Sequence, residues 1–293
     1  MIGSGGTPIA IFAHNEEAHI LRCLESIKEA AKEQVLTAFV LINGSADRTA
    51  EIVDNYARQH PWVRPMHIQF GDKSNAWNLF VHEYAPVSEI LYFMDGDVRT
   101  DEQSLAALKV ALELDPAASA AAAVPGSGRN RANLIADMKS EGGLAGNLYA
   151  LRGTLVDRIK KADIRLPIGF IGEDGLVGAL VAWDLDSLGN EWSKERIAIC
   201  ENARFYFDSL SIASLKDWRL YYRRRANYSL RHIQNRLLRE ILISSGVRAM
   251  PECVEELYSG LDNVLLPWRG IDTFFDRVAM RRLRKRRRRN REL

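Results

Sequence analysis

The alternation of short apolar runs with amphipathic stretches constrains this chain more than any other feature of its sequence. Ile9 to Ala13 is an unbroken apolar run, as are Phe39 to Ile42 and Ile90 to Met94, and Val63 to Phe70 is strand-like. Each is followed by a segment with helical apolar spacing, at 20–27, 50–56, 73–84 and 105–114. Glu16 and Glu17 read as the acidic first turn of the first helix. Ala117 to Val124 ends in Pro125-Gly126, and its second half closes the series as a further strand. Strand followed by helix four times in succession predicts a mostly parallel sheet with right-handed crossovers. In such sheets ligands bind beyond the C-terminal strand ends. The polar clusters at 14–17, 43–47 and 95–97 all follow strands directly, so they fall on one rim.

Beyond residue 125 the pattern loosens. Gly142, Gly143 and Gly146 interrupt the segment 126–210, where Leu148 to Leu151 and Ile197 to Phe207 read as strands and Glu173 to Trp183 as a helix. From about 213 the chain turns helical. Leu215 to Ile243 contains neither Gly nor Pro, and two more helices are expected near 251–259 and 267–289. There is no internal repeat.

The net charge of +2 conceals a division. Residues 219–293 carry 19 Lys/Arg against 8 Asp/Glu, a balance of +11, whereas residues 1–218 carry 21 against 30, a balance of −9. With 47% hydrophobic residues the chain has material for a large core, which excludes a disordered or collagen-like protein. Cys23, Cys200 and Cys253 are widely spaced and lack histidines at metal spacing, which points to a reducing compartment and against a zinc site. No apolar run approaches the ~18 residues that span a bilayer. The start of the chain does not read as a signal peptide, and the expected location is cytoplasmic.

Asp95-Gly96-Asp97 behind the Ile90–Met94 strand is either a solvated turn or a hard-oxygen site for Mg²⁺ or Mn²⁺ shared with phosphate oxygens. A phosphate-binding Gly-rich loop is missing. Gly3 to Gly6 precede the first strand instead of following it, which disfavours a dinucleotide-binding domain. Taken alone, Glu173-Asp174 reads as an acidic pair at a helix start.

Together these motifs resemble the family 2 glycosyltransferases. Ile9 to Glu17 resembles the family's opening strand and Asn-Glu-Glu loop, and Ile42 to Asp47 its Asp-Asp-Gly-Ser-Thr-Asp turn. Lys73 to Asn78 resembles its Gly-Lys-x-x-Ala-x-Asn helix start. Asp95 to Asp97 resembles the Asp-x-Asp metal motif, Glu173-Asp174 the Glu-Asp pair of the catalytic base, and Tyr222 to Arg225 with Tyr228 the late Arg-rich aromatic segment.

The resemblance implies a GT-A fold, an α/β architecture with a mostly parallel Rossmann-like sheet flanked by helices. The catalytic domain would span 1–212, with a nucleotide-sugar half at 7–125 and an acceptor half at 126–212. A helical region at 213–280 and a polybasic tail at 281–293 would follow. It also implies inverting transfer of one sugar from a nucleoside-diphosphate sugar to a hydroxyl. Such a step needs a base for the hydroxyl proton and a cation for the departing diphosphate. Asp174 is the expected base, with Glu173 as the alternative. Asp97, with Asp95, is the expected ligand of Mn²⁺ or Mg²⁺. Ala13, Asn15, Glu16, Asn43, Lys73 and Asp95 would line the nucleotide-sugar pocket, with His14 as its wall. Arg152 and Arg225 are candidate phosphate or acceptor contacts, although Arg152 also reads as structural. The family's double acid is here Ile42-Asn43, so the base is less constrained; a UDP-sugar is expected, with GDP and dTDP as alternatives. Trp183 and Trp192 read as packing or as the floor of an acceptor sugar.

The basic end has its own reading. Arg281 to Arg291 hold nine positive charges without an acidic residue. Trp268, Ile271, Phe275 and Val278 form one stripe if 267–280 is helical. An apolar stripe followed by a polybasic run suits an anionic membrane surface, with Trp268, Arg284, Lys285, Arg286 and Arg287 as contacts. The expected protein is thus bacterial, peripheral on the inner face of the plasma membrane, and directed at a lipid-linked or nascent glycan. Nucleic acid is disfavoured, because the tail lacks interleaved aromatic residues. The competing readings are a non-catalytic membrane-recruited binding protein of GT-A type and a nucleotidyltransferase on a related fold.

Overall fold

The computed structural model describes residues 6–32, 35–128, 130–208 and 215–291. In chain order the first half runs β1 (Thr7–Ala13), α1 (Ile20–Ala31), β2 (Leu36–Asn43), α2 (Thr49–Gln59), β3 (Val63–Ile68), α3 (Lys73–Leu79), β4 (Ile90–Asp95), β5 (Arg99–Thr100), α4 (Ser104–Leu114) and β6 (Ala120–Pro125). The second half runs α5 (Arg131–Glu141), β7 (Leu148–Arg152), α6 (Gly153–Lys161), α7 (Glu173–Ala182), β8 (Ile197–Tyr206), α8 (Leu215–Ser245), α9 (Val254–Leu257) and α10 (Asp272–Arg291).

The strands form one mixed sheet in the order β3-β2-β1-β4-β7-β6-β8-β5. β1, β2, β3 and β4 pair in parallel, and β8 lies parallel to β6. β7 runs against both β4 and β6, and β5 against β8. The central strands are almost wholly apolar because helices cover both faces. One face buries Phe12, Phe39, Trp77, Phe93 and Tyr149, and the other Ile9, Ile11, Val40, Tyr92 and Met94.

The strands expected from their apolar runs are present. The sheet is less uniformly parallel than the alternation implied, because β7 enters from the rim where β4 ends: Met94 pairs with Leu148 and Ile90 with Arg152. α1 begins at Ile20, so Glu16 and Glu17 lie in the preceding turn and not in the helix. The segment 126–172 holds two helices, α5 and α6, beyond the expected elements. The last helix starts at Asp272, so Trp268 and Ile271 precede it. Phe275 is buried against Tyr222, which splits the expected apolar stripe. Residues 281–291 continue α10. Ile233, Leu237, Val254, Leu261, Met280 and Leu283 join the same core as the sheet residues. No helix of the described residues is long and apolar enough to cross a membrane.

Candidate active site

Three loops meet where β1, β2 and β4 end. The turn after β1 is locked to the turn after β2. The Asn15 N–H donates to Ser45 Oγ at 3.0 Å, and Asn15 Oδ1 accepts from the Ala46 N–H at 2.8 Å. The Glu16 N–H donates to Thr49 Oγ1 at 2.7 Å. His14 Nδ1 lies 2.6 Å from the Asn43 carbonyl and Nε2 3.0 Å from Asn15 Nδ2. A neutral ring that donates from Nδ1 and accepts at Nε2 satisfies both contacts. Asn43 is buried, and its Nδ2 donates to the carbonyls of Ala13 and Leu41 at 3.1 and 3.3 Å. Its amide hydrogens are therefore committed to the sheet.

Lys73 opens α3 and reaches across this rim. Asp72 caps the helix, its Oδ1 accepting from the Asn75 N–H at 2.7 Å. Lys73 Nζ lies 2.5 Å from Asp95 Oδ1 and 2.6 Å from Glu173 Oε1. It also sits 5.5 Å above the Phe12 ring centroid. One ammonium thus joins the acidic turn after β4 to the acidic start of α7.

Glu173 and Asp174 enter α7 through Gly172, whose φ is +104°. A Cβ there would stand 2.4 Å from Arg231 Nε, so glycine both permits the backbone and admits the guanidinium. Arg231 Nη2 donates to Asp174 Oδ1 at 2.9 Å, and the Gly146 N–H donates to Oδ2 at 3.3 Å. A Cβ on Gly146 would lie 2.8 Å from Asp174 Cβ. The approach of these two loops needs the missing side chain.

The loop before α7 is held from two sides. Asp72 Oδ2 accepts from the Gly169 N–H at 2.8 Å, and Ser74 Oγ donates to the Phe170 carbonyl at 3.2 Å. On the other side Gln234 of α8 accepts from the Ile171 N–H at 2.9 Å and donates to the Gly169 carbonyl at 3.2 Å. Neither Arg231 nor Gln234 stands out in the sequence. Both lie in α8 just after the Arg-rich segment, and only the fold brings them to α7.

Crowding of carboxylates governs the electrostatics. Burial, with the charges of Asp97 and Glu173, pushes the Asp95 carboxyl up to about 7 despite Lys73. Burial also acts upward on Glu173, but the Lys73 ammonium outweighs it and holds the carboxyl below its ordinary value. Lys73 loses hydration by burial, yet the carboxylates of Asp95, Glu173 and Asp174 hold it well above the ordinary lysine value. Burial and Asp97 push Glu16 up. The donor chemistry fits a hard divalent cation, with carboxylates from Asp95 and Asp97 and further positions left for phosphate oxygens. No group of three or more His, Cys, Asp or Glu among the described residues forms a self-sufficient metal cluster.

Ala13, Asn15, Glu16, Asn43, Lys73, Asp95, Asp97, Glu173 and Asp174 thus gather at one rim. Arg152 does not join them. It lies at the opposite end of β7, where Nε donates to the Ala118 carbonyl at 2.5 Å and Nη2 to the Asp115 carbonyl at 2.9 Å. The four residue steps from Leu148 to Arg152 put it about 13 Å from the rim. Arg225 pairs with Asp272 at 2.6 Å, where α8 meets α10.

A comparison with curated proteins finds no match. Solved structures with the same fold include the mannosyltransferase PcManGT from Pyrobaculum calidifontis in complex with GDP-Man and Mn²⁺ (16% identity, TM-score 0.62, covering 90% of this chain and 77% of that one). TarS 1-349 from S. aureus in complex with UDP-GlcNAc is 15% identical, with a TM-score of 0.54, and the match covers 88% of this chain and 80% of that one. Glucosyl-3-phosphoglycerate synthase from Mycobacterium tuberculosis, bound to Mn²⁺, UDP and glucosyl-3-phosphoglycerate, is 18% identical, with a TM-score of 0.51 and coverage of 77% and 78%. The family model described as glycosyl transferase family 2 matches residues 9–165, from β1 through α6. That match spans more than half of the chain, and the chain belongs to glycosyl transferase family 2.

Proposed function

We propose that this glycosyltransferase moves a single sugar, with inversion, from a nucleoside-diphosphate sugar to a hydroxyl of a glycan or glycolipid acceptor. The observation that carries the reading is the Lys73 ammonium held between Asp95 and Glu173, with Asp174 beside them. It joins a pair suited to cation binding to a pair suited to proton transfer. Asp95 and Asp97 are the residues that would hold Mn²⁺ or Mg²⁺, which when bound offsets charge on the departing diphosphate. Asp174 takes the acceptor hydroxyl's proton; Arg231 and the Gly146 N–H fix the orientation of its two oxygens. Glu173 holds Lys73 in place. Ala13, Asn15, Glu16 and Asn43 shape the nucleotide end. UDP-sugars come first among the donors, then GDP- and dTDP-sugars; the related structures hold UDP-GlcNAc, UDP and GDP-Man.

The same reading brings the protein to the cytoplasmic face of an anionic membrane. Leu265, Trp268 and Ile271 ahead of α10 and Phe274 in its first turn are each exposed. Arg277, Arg281, Arg282, Arg284 and Lys285 follow on the exposed side of that helix. Arg287 points inward, its guanidinium on Asp262 at 2.9 Å, and is removed from the expected membrane contacts. The side chain of Arg286 lies outside the described residues.

A donor panel of UDP-, GDP- and dTDP-sugars with Mn²⁺ tests the catalytic reading. One donor class should be consumed, and Asp97→Ala and Asp174→Asn should each lower turnover by about 10²-fold or more. Consumption of no donor, or full metal-dependent activity in Asp97→Ala, would overturn it.

A further inference from the structure

A cleft of about 600 Å³ lies between α7 and α8, lined from Gly175, the residue after the proposed base. Its α7 wall carries Gly175, Ala179 and Trp183, spaced four residues apart on one helix face, and begins next to Asp174. Its α8 wall carries Asn235, Arg239 and Leu242, which continue the face of Arg231, the partner of Asp174. The near end of the cleft, at Gly175, is one residue beyond Asp174, and a Cβ on Gly175 would lie 3.2 Å from Arg231 Nη2. From Gly175 to Trp183 the length is about 12 Å at 1.5 Å per residue.

The lining has two characters. Buried Leu238 and Leu242 make an apolar floor, and the far end is closed by Trp183 and Trp192. These indoles meet edge to face, with centroids 5.0 Å apart and planes at 87°. Trp192 keeps 48% of its surface exposed at the cleft. The rim is polar: Glu141 at the end of α5, with Asn235 and Arg239, stands exposed around the opening.

We propose that this cleft binds the non-reacting part of an oligosaccharide acceptor, up to two sugar rings beyond the hydroxyl that receives the new sugar. Ring C–H groups stack on the exposed indole of Trp192, and ring hydroxyls are met by Glu141, Asn235 and Arg239. A polymethylene or isoprenoid chain would fill the floor but make no use of the three polar rim groups. Binding energy collected here would hold the reactive hydroxyl at Asp174. The proposal rests on the catalytic reading above for the place where the acceptor reacts.

The test titrates the full-length protein with linear gluco-, manno- and N-acetylglucosamino-oligosaccharides of one to four units, following the heat of binding by isothermal titration calorimetry. Wild type, Trp192→Ala, Trp192→Phe and Arg239→Ala are compared, and hydrolysis of UDP- and GDP-sugars by wild type with Mn²⁺ is measured alongside. The expected result is one series whose affinity rises at least tenfold between one and three units. That gain should vanish in Trp192→Ala, return in Trp192→Phe and weaken in Arg239→Ala. No length-dependent gain in any series, or a gain that survives Trp192→Ala, overturns the proposal. So does Trp192-dependent binding of dodecyl glycosides without oligosaccharide binding. Donor hydrolysis without oligosaccharide binding removes the cleft proposal alone. Trp192-dependent oligosaccharide binding without donor turnover removes the catalytic reading and leaves the cleft as a glycan site.

Discussion

At the scale of single residues, the site depends on Lys73. Its ammonium is shared by Asp95 and Glu173; burial acts upward on both carboxyls, but Asp95 also faces Asp97 and Glu173, whereas Glu173 is further lowered by a backbone hydrogen bond and by the Arg231 charge. Glu173 gains more from Lys73 than it loses by burial, so its folded pKa is below its unfolded value. Its contribution to stability is then present above the unfolded value of about 4.5 and fades as pH falls through the folded one. Glu173→Gln should therefore cost about 1–3 kcal/mol near neutral pH, and the deficit should shrink below pH ~4.5. Urea unfolding at pH 7.5 and at successive acidic values measures this; an unchanged deficit across the range counts against the pair. Asp95, Lys73 and Glu173 stood out through the resemblance of their motifs to glycosyl transferase family 2, while the apolar pattern alone showed only that each lies at an element's end. Arg231 did not stand out, since its partner Asp174 is 57 positions away and nothing local separates it from neighbouring arginines. Asn43 shows the opposite limit. Its place at the end of β2 was legible, but only the fold shows that its amide hydrogens are used by the Ala13 and Leu41 carbonyls.

Among the elements, α3 orients Lys73, and Asp72 orients α3. One oxygen of Asp72 caps α3 and the other accepts from the Gly169 N–H in the loop leading to α7. Burial pushes this carboxyl up, and the N–H donors of Asn75 and Gly169 offset part of that. Asp72→Ala removes both contacts and should cost about 1–2 kcal/mol, whereas Asp72→Asn keeps an acceptor for the cap and should cost less. Chemical denaturation of both variants checks the order, and equal losses would mean that capping is not the cause. The buried strands could be read from apolar runs alone. α6 could not, because it is nine residues long, follows β7 without a linker and begins at Gly153. The direction of β7 was equally hidden. An apolar run carries no mark of which sheet end it enters from, and here the chain returns through Gly146 and Asn147 to the rim where β4 finishes, the Asp95 N–H donating to the Asn147 carbonyl at 3.1 Å.

For the whole molecule, the division between a −9 body and a +11 remainder is not a division between a core and an appended tail. α8, α9 and α10 contribute buried side chains to the same core as the sheet, and α8 supplies Arg231 and Gln234 to the candidate site. Part of the positive charge is answered internally. Arg269 pairs with the fully buried Asp276, and Arg287 with Asp262. Arg277, Arg281, Arg282, Arg284 and Lys285 are exposed, as are Leu265, Trp268, Ile271 and Phe274. Truncation before residue 281 would remove the buried Leu283 and the Arg287 contact, so loss of folding would confound a membrane assay. Surface substitutions separate the two. Each basic residue near an anionic bilayer contributes about 1 kcal/mol, screened by salt, whereas buried apolar area is not screened. Flotation with phosphatidylglycerol-containing vesicles should therefore divide cleanly. Replacing Arg281, Arg282, Arg284 and Lys285 with Gln should abolish the salt-sensitive part of binding. Replacing Trp268, Ile271 and Phe274 with Ser should remove the part that persists at high salt. Equal flotation of all three proteins, or equal binding of wild type to purely zwitterionic vesicles, would mean that this surface serves something other than an anionic membrane.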